Sequence, residues 1–524
     1  MANFKKIHFS GILFTAFFFS VFIMLLGMDR YSPKLLLVSS FFIFLAGGTL
    51  LDIAIRHLSP KARQILSGEH LGNSIYAFFS DRKLKLLLWG LITLFFIPAY
   101  LALFPGTFGY DAPVQAAQYF GEMELTSANP LFHTYLLGLF LSFGETLLKS
   151  ASLGVALFCL IQGLLVTHVV ARSFLFLKKI HTPFTVILIG LLWILCNPTL
   201  HVLTFNVTKD ILLGVCLLHF LLNLLDILCV PEPSKADFFR LILSGVIMCL
   251  MRNAAIYLVA SLMILMLFAL RKYQKIILSL SMVFLVSWLL SAFFSYGLKI
   301  PAGNARENMS IPIQQLAAVS HAYYYGPEPP DITEAQLNTI HELIPEEAME
   351  VFLYDTVDLV KAVFDTEVFS EAPGKYISLY LTVGRQNPSI YLRAFRDMVI
   401  PYFDMTKSAR RLLSLSETFP EISHLRISRY DLFPSYYAFL EGQIETEHYC
   451  FVLQPGISIW LMVLGIAVSI ERKSRKILLC ILPIALYFMG LLLGPMALLR
   501  YLFPMMLATP LLFGILFLDE HAVP

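Results

Sequence analysis

Residues 84–115 read LKLLLWGLITLFFIPAYLALFPGTFGYDAPVQ. The stretch 84–104 is an apolar run with a single charge, Lys85, at its start. About 20 such residues, wound as a helix, match the roughly 30 Å hydrocarbon core of a bilayer. A Gly- and Pro-rich loop follows, and Asp111 stands just beyond it. The pattern of apolar run, short polar break and next apolar run recurs along the chain. Of the 524 residues 58% are apolar and 14% charged, and the mean hydropathy is +0.74. A soluble protein is about 45–50% apolar and about 25% charged. The composition excludes a soluble enzyme, a disordered chain and a disulfide scaffold. It leaves an all-α polytopic membrane protein. The seven cysteines lie in or beside apolar runs and none forms a CxxC, so they read as small packing residues rather than as disulfides or zinc ligands.

About twelve spans are expected, at 7–27, 33–56, 84–104, 151–176, 183–203, 208–229, 238–251, 254–270, 275–297, 449–470, 476–495 and 497–518. The first reads as a retained signal-anchor. A further apolar stretch, 131–148, follows Asn129–Pro130 and is taken as re-entrant or interfacial. That choice puts Arg56–Lys85, Lys178–Lys179, Arg271–Lys275 and Arg472–Lys476 on one side, which the positive-inside rule makes cytoplasmic together with both termini. The loop 105–130, the turn at 204–208, Arg252–Asn253, the segment 298–448 and the turn near Arg500 then face outward. The chain divides into two N-terminal helices and a loop (1–83), a transmembrane module (84–297), an extracytoplasmic domain (298–448) and C-terminal helices (449–524). In 298–448 the apolar spacing of 334–353 and 354–367 predicts helices. The formal net charge of +2 separates into −9 for 298–448 and +11 for the remainder. The acidic part is thus outside and the basic excess inside. No span shows a regular string of ionisable residues along its length, which argues against a proton relay.

Several polar residues reach the predicted outer face. Asp111 suits a general base in a water-poor pocket. It equally suits the cap of a helix opening at Ala112–Pro113. His133, at the start of 131–148, is either a packing residue or a site residue. Lys209 and Asp210 open span 6, where Asp210 complements the helix dipole and Lys209 either attracts a phosphate or snorkels. Arg252–Asn253 interrupts two short apolar helices. A charge there is costly in lipid and is a functional candidate by default, as a bidentate phosphate ligand or as the ion-pair partner of Asp210 or Asp111. Gln314 and Gln315 are either ligands for hydroxyl-rich molecules or exposed polar residues. Arg500 and Tyr501 are either a phosphate site or an interfacial anchor. Two carboxylates and several cations on one face suit an anionic lipid headgroup and a hydroxyl acceptor.

With Asp111 on a short outer loop after an early span, and Asn129-Pro130…His133 leading into the next helix, the chain resembles the GT-C glycosyltransferase superfamily. The Lys209–Asp210, Arg252–Asn253 and Arg500–Tyr501 elements resemble those of a poorly characterised bacterial branch. The resemblance covers about 84–297 and 449–518. It implies a GT-C-like helical bundle. It also implies transfer of a sugar from a polyprenyl-phosphate or diphosphate carrier to a cell-envelope glycan, glycolipid or related acceptor, with inversion, on the outer face of the cytoplasmic membrane. Asp111 would then be the base, and Arg252 and Arg500 with Lys209 would hold the carrier phosphate. Tyr110, His133, Asp210, Asn253, Gln314, Gln315 and Tyr501 would line the substrate site. No acidic residue adjoins Asp111 and no WWD-type motif is present, which speaks against a protein acceptor. The chemistry requires no cofactor, and a divalent metal on Asp111 and Asp210 stays open. The expected partners are the lipid-linked donor, the acceptor and membrane lipid, with no nucleic acid. Two other readings stand beside this one: a polysaccharide polymerase or ligase acting on lipid-linked oligosaccharide, and a lipid or solute transporter.

Overall fold

The computed structural model describes residues 32–57, 68–229, 232–269, 273–403, 425–430, 432–445 and 453–517, with eight positions between 13 and 24. The expected first span, 7–27, therefore falls largely outside the described residues. The chain is mostly helical and forms two units. One comprises Met1–Ile300, Met405–Tyr487 and Leu502–Pro524, and the other Pro301–Asp404 and Phe488–Tyr501.

In the first unit the helices run in the order α1 Pro33–His57, α2 Glu69–Phe78, α3 Asp81–Ala102, then the two-residue strand β1 Thr107–Phe108, α4 Ala112–Phe120, α5 Leu131–Leu147, α6 Ala151–Lys179, α7 Phe184–Cys196 and α8 Pro198–Thr204. Strand β2 Asn206–Val207 precedes α9 Lys209–Leu228, α10 Lys235–Met251, α11 Ala255–Ala269 and α12 Gln274–Ala292. Among the described residues α3, α6, α9 and the stretch Gln274–Gly297 are long and apolar enough to cross a membrane. The pair α7–α8 makes a fifth if counted as one span. Among the described residues length and composition thus give four or five candidate crossings, and the expected count of about twelve is not confirmed.

Local chemistry explains where the helices break. The apolar run 183–203 bends by 61° between α7 and α8. Asn197 stops α7 and caps α8, its Oδ1 accepting from Leu200 N at 3.0 Å, with Pro198 at the first helical position. α5 and α6 form a helical hairpin whose close approach depends on glycine. A Cβ on Gly144 would sit 2.7 Å from the backbone of Gly154. α3 is fastened to α6 by Trp89 Nε1, which donates to Leu164 O at 3.2 Å and Thr167 Oγ1 at 3.1 Å. Such bonds matter between helices in lipid, where apolar burial gives no driving force for association.

The second unit packs around α13 Ser310–Tyr325. Its Ile313, Leu316, Ala317 and Val319 are buried against Ile340, Ile344, Val357, Val360 and Tyr391. The surrounding helices are α14 Glu334–His341, α15 Asp358–Ala362, α16 Thr366–Glu371, α17 Pro373–Gln386 and α18 Pro388–Phe403. Thr333 and Gln336 form a capping box on α14. The helices expected over 334–353 and 354–367 are shorter. α14 ends at His341, and Pro345 then starts a separate 3-10 turn, Glu346–Met349. The unit takes in Pro301–Asp404 and, from the C-terminal part of the chain, Phe488–Tyr501.

Candidate active site

The site forms where the loop after α3 meets the entry to α9. β1 and β2 pair in parallel, with Thr107 opposite Asn206 and Phe108 opposite Val207. Thr107 N also donates to Phe205 O at 2.9 Å. Gln162, a buried amide on α6, fixes the β2 side. Its Nε2 donates to Thr204 O at 2.8 Å and to Asn206 O at 3.0 Å. Gly106 makes the turn into β1 with φ +131°, and a Cβ there would come within 2.3 Å of Cys159 Sγ. Only glycine satisfies both conditions.

This ladder carries Asp111 to Lys209. Asp111 Oδ2 lies 2.8 Å from Lys209 Nζ, and the two side chains are 28% and 16% exposed. Lys209 also donates to Asn129 Oδ1 at 2.6 Å. Asp111 occupies the residue before α4, yet its carboxylate makes no capping bond to that helix. Of the two readings for Asp111, capping is excluded. Tyr110 beside it is left-handed, with φ 55°, and its side chain is exposed. A non-glycine residue in that region costs on the order of 1–3 kcal/mol and must be held by its surroundings.

The next peptide leads to a second pair. Arg252 Nη1 donates to Asp210 Oδ1 at 2.8 Å, and Asp210 is fully buried. Arg252 ends α10 in an extended conformation, so the chain turns at 252–253 as the sequence predicts. Asn253 Nδ2 donates to Ser127 O at 2.8 Å. Asp210 thus holds Arg252 and has no exposed surface for a substrate. Each carboxylate offered by the sequence as a metal ligand engages a cation. Among the described residues no group of three or more His, Cys, Asp or Glu is placed to hold a metal ion.

His133 lies in the contact between α4 and α5. It is fully buried, its Nδ1 lies 3.1 Å from Gln115 Oε1, and Gln115 Nε2 donates to Thr134 Oγ1 at 3.0 Å. This bridge ties α4, which begins next to Asp111, to α5. Gln314 and Gln315 belong to the core of the second unit. Gln314 Nε2 donates to Leu353 O and Tyr354 O at 2.7 and 3.1 Å. Gln315 Nε2 donates to Tyr391 O at 3.1 Å, and its Oε1 accepts from Tyr380 at 2.6 Å. Both amides are buried, which corrects the alternative that they are exposed polar residues. Arg500, 6% exposed, and Tyr501 also belong to the second unit, with the guanidinium 5.1 Å from the Tyr501 ring centre. The structure therefore brings together Asp111, Lys209, Asp210, Arg252, Asn253 and, through α4, His133. It adds Asn129, Gln115 and Gln162; of these only Gln162 carries a signal in the sequence, a lone amide among apolar neighbours.

A protein-family model described as a family of unknown function (DUF6020) matches residues 121–522. The structure of ArnT from Cupriavidus metallidurans bound to undecaprenyl phosphate is similar at 12% identity and a TM-score of 0.31, covering 81% of this chain and 77% of that one. The same protein in the apo state matches at 12% identity, a TM-score of 0.32 and the same coverage. At TM-scores this low the likeness does not establish a common fold. No curated protein matches the chain.

Proposed function

The chain belongs to the DUF6020 family, a family of unknown function, and we propose that it is a membrane glycosyltransferase of GT-C type. It takes a sugar from a polyprenyl-phosphate or diphosphate carrier and passes it to a glycan, glycolipid or related cell-envelope acceptor. One observation carries this reading: the Asp111 carboxylate makes no capping bond to the helix it precedes and is held, part-exposed, 2.8 Å from Lys209.

In the proposed reaction Asp111 takes the proton of an acceptor hydroxyl as that oxygen bonds to the anomeric carbon. The bond from this carbon to the carrier phosphate oxygen breaks, and the phosphate leaves with the electron pair. Lys209 and Arg252 are the nearby cations for the developing phosphate charge. A single in-line displacement inverts the anomeric centre. On this reading the site and the segment 298–448 face outward across the plasma membrane, and both termini face the cytoplasm.

The test supplies the purified full chain with a panel of polyprenyl-phosphate sugars and envelope lipid extract, and follows the radiolabelled sugar. Transfer that falls about 10²–10⁴-fold in Asp111→Asn, the usual share of a general base, supports the assignment. Undiminished transfer in that variant removes Asp111 as base. Absence of transfer from every donor overturns the reading. Product length separates addition of one sugar from ligation of a whole oligosaccharide. For orientation, Glu347→Cys in the second unit is to label from outside intact cells, and protection there reverses the topology.

A further inference from the structure

Three helices of the first unit carry polar residues at the spacing of a helical face: Lys85 and Trp89 on α3; His168, Arg172 and Lys179 on α6; His219, Asn223 and Asp226 on α9. The fold converges them. Lys85 Nζ lies 3.2 Å from His168 Nε2, and the Trp89 ring meets His168 edge-on at 5.4 Å. Arg172 Nη1 lies 3.0 Å from His219 Nδ1, and Nη2 donates to Asn223 Oδ1 at 2.7 Å and Asp226 Oδ2 at 2.9 Å. The other Asp226 oxygen accepts from Lys179 at 2.8 Å. The neighbouring Lys178 is engaged by Asp81 at 2.6 Å.

Among the described residues of this cluster, one carboxylate faces three cations, Lys85, Arg172 and Lys179. With the imidazoles neutral, two positive charges remain. α3, α6 and α9 are each long and apolar enough to span a bilayer. Arg172 lies seven residues inside Lys179, about 10 Å along the helix. Lys179, at a helix end, reaches water by snorkelling. Arg172 cannot, because its guanidinium is fixed by three side chains of α9. Surplus charge at that depth costs a few kcal/mol in hydrocarbon, and an anion removes the cost. The cluster is open to one, since the Arg172 side chain is 18% exposed and Lys85, His168 and His219 are part-exposed.

We propose that Lys85, Arg172, His168 and His219 form a binding site for a phosphate-bearing group, with Trp89 as its apolar edge. The charge suits a phosphate ester, and the surrounding apolar helices suit one attached to a lipid chain. The site lies roughly 15–25 Å along α9 from the Lys209 end. It is separate from the Asp111 pair and stands whether or not that pair is catalytic.

The experiment measures thermal unfolding of the full chain in phosphatidylcholine nanodiscs while phosphatidic acid is titrated in. Inorganic phosphate and additional phosphatidylcholine are titrated separately. The wild type is to show saturable stabilisation by phosphatidic acid. Arg172→Gln and Lys85→Gln are each to weaken its apparent Kd about tenfold, since bonds to charged groups are worth about 1.5–3 kcal/mol. Arg172→Gln can loosen the α6–α9 network. Lys85→Gln removes one contact to His168 and keeps the test independent of that risk. Equal stabilisation by inorganic phosphate identifies a free anion as the source, and stabilisation by the lipid alone identifies a headgroup. Saturable binding that Lys85→Gln leaves unchanged, an equal response to phosphatidylcholine, or no saturable stabilisation by either phosphate probe overturns the proposal.

Discussion

Asp111 Oδ2 sits 2.8 Å from Lys209 Nζ across 98 residues of chain, while the helix that begins beside Asp111 receives no bond from its carboxylate. The ion pair is part-exposed, and such pairs contribute about 0–1 kcal/mol to stability. Asp111→Asn is therefore expected to lower sugar transfer about 10²–10⁴-fold while moving the unfolding midpoint in detergent by less than about 3 °C. A fall in stability that parallels the fall in activity would assign the residue to the framework.

Arg252 and Asp210 behave differently because Asp210 is fully buried. Removing only the cation leaves an uncompensated buried charge, at a cost of about 3–5 kcal/mol. Arg252→Met should destabilise the first unit by that amount, and Asp210→Asn added to it should restore most of the loss. The double-mutant cycle is read by thermal unfolding. Simple addition of the two single effects would show that the pair does not couple.

Gly106 offers a steric test. Gly106→Ala places a methyl group against Cys159 Sγ at a φ that side chains rarely adopt. A loss of roughly 1–3 kcal/mol for the clash and a further 1–3 kcal/mol for the backbone is expected, with collapse of transfer as β1 moves. Cys159→Ala in the same chain should recover the first part alone. Full recovery would mean that the backbone conformation imposes no constraint.

The second unit should loosen in mild acid. Burial lowers the pKa of His321, aided by Arg393. Burial also lowers that of His341, against the opposing pull of Glu346 and Glu347. For both, the folded pKa lies below the unfolded value of about 6.5. Their contribution is complete above that pH and is lost as pH falls from about 6.5 through the folded pKa, where the unfolded chain binds the extra proton. Hydrogen exchange across Ser310–Tyr325 should quicken over that window, and His321→Gln with His341→Gln should flatten the response. An unchanged profile in the double variant would place the acid sensitivity elsewhere.

The residues that begin or end helices were the readable ones. Lys209, Asp210 and Arg252 stand where apolar runs stop, and the fold pairs them as that position suggests. The break at Asn197–Pro198 carried an ordinary cap signal, which a 20-residue hydropathy window passes over because both flanks are apolar. Gln314 and Gln315 were less legible, because an amide serves a ligand or a backbone carbonyl equally well, and their bonds to Leu353, Tyr354 and Tyr391 carbonyls appear only once α13 is packed. The cluster on α3, α6 and α9 was hidden for another reason. No one of these helices carries a regular ionisable string, and the face exists only when all three are assembled. The expected count of about twelve spans is not confirmed among the described residues, where α7 and α10, at 13 and 17 residues, are shorter than the roughly 20 residues a crossing needs.

The Asp111 loop and the Lys209 segment leave different helices, yet the two-residue β ladder and Gln162 splint them together. Displacing β1 drags β2 with it, so the acid and the cation travel as one body. Opening of the site must then come from elements that the splint does not hold. The spacing of the charged pair should be its least variable distance, the same with a ligand arriving, reacting or leaving.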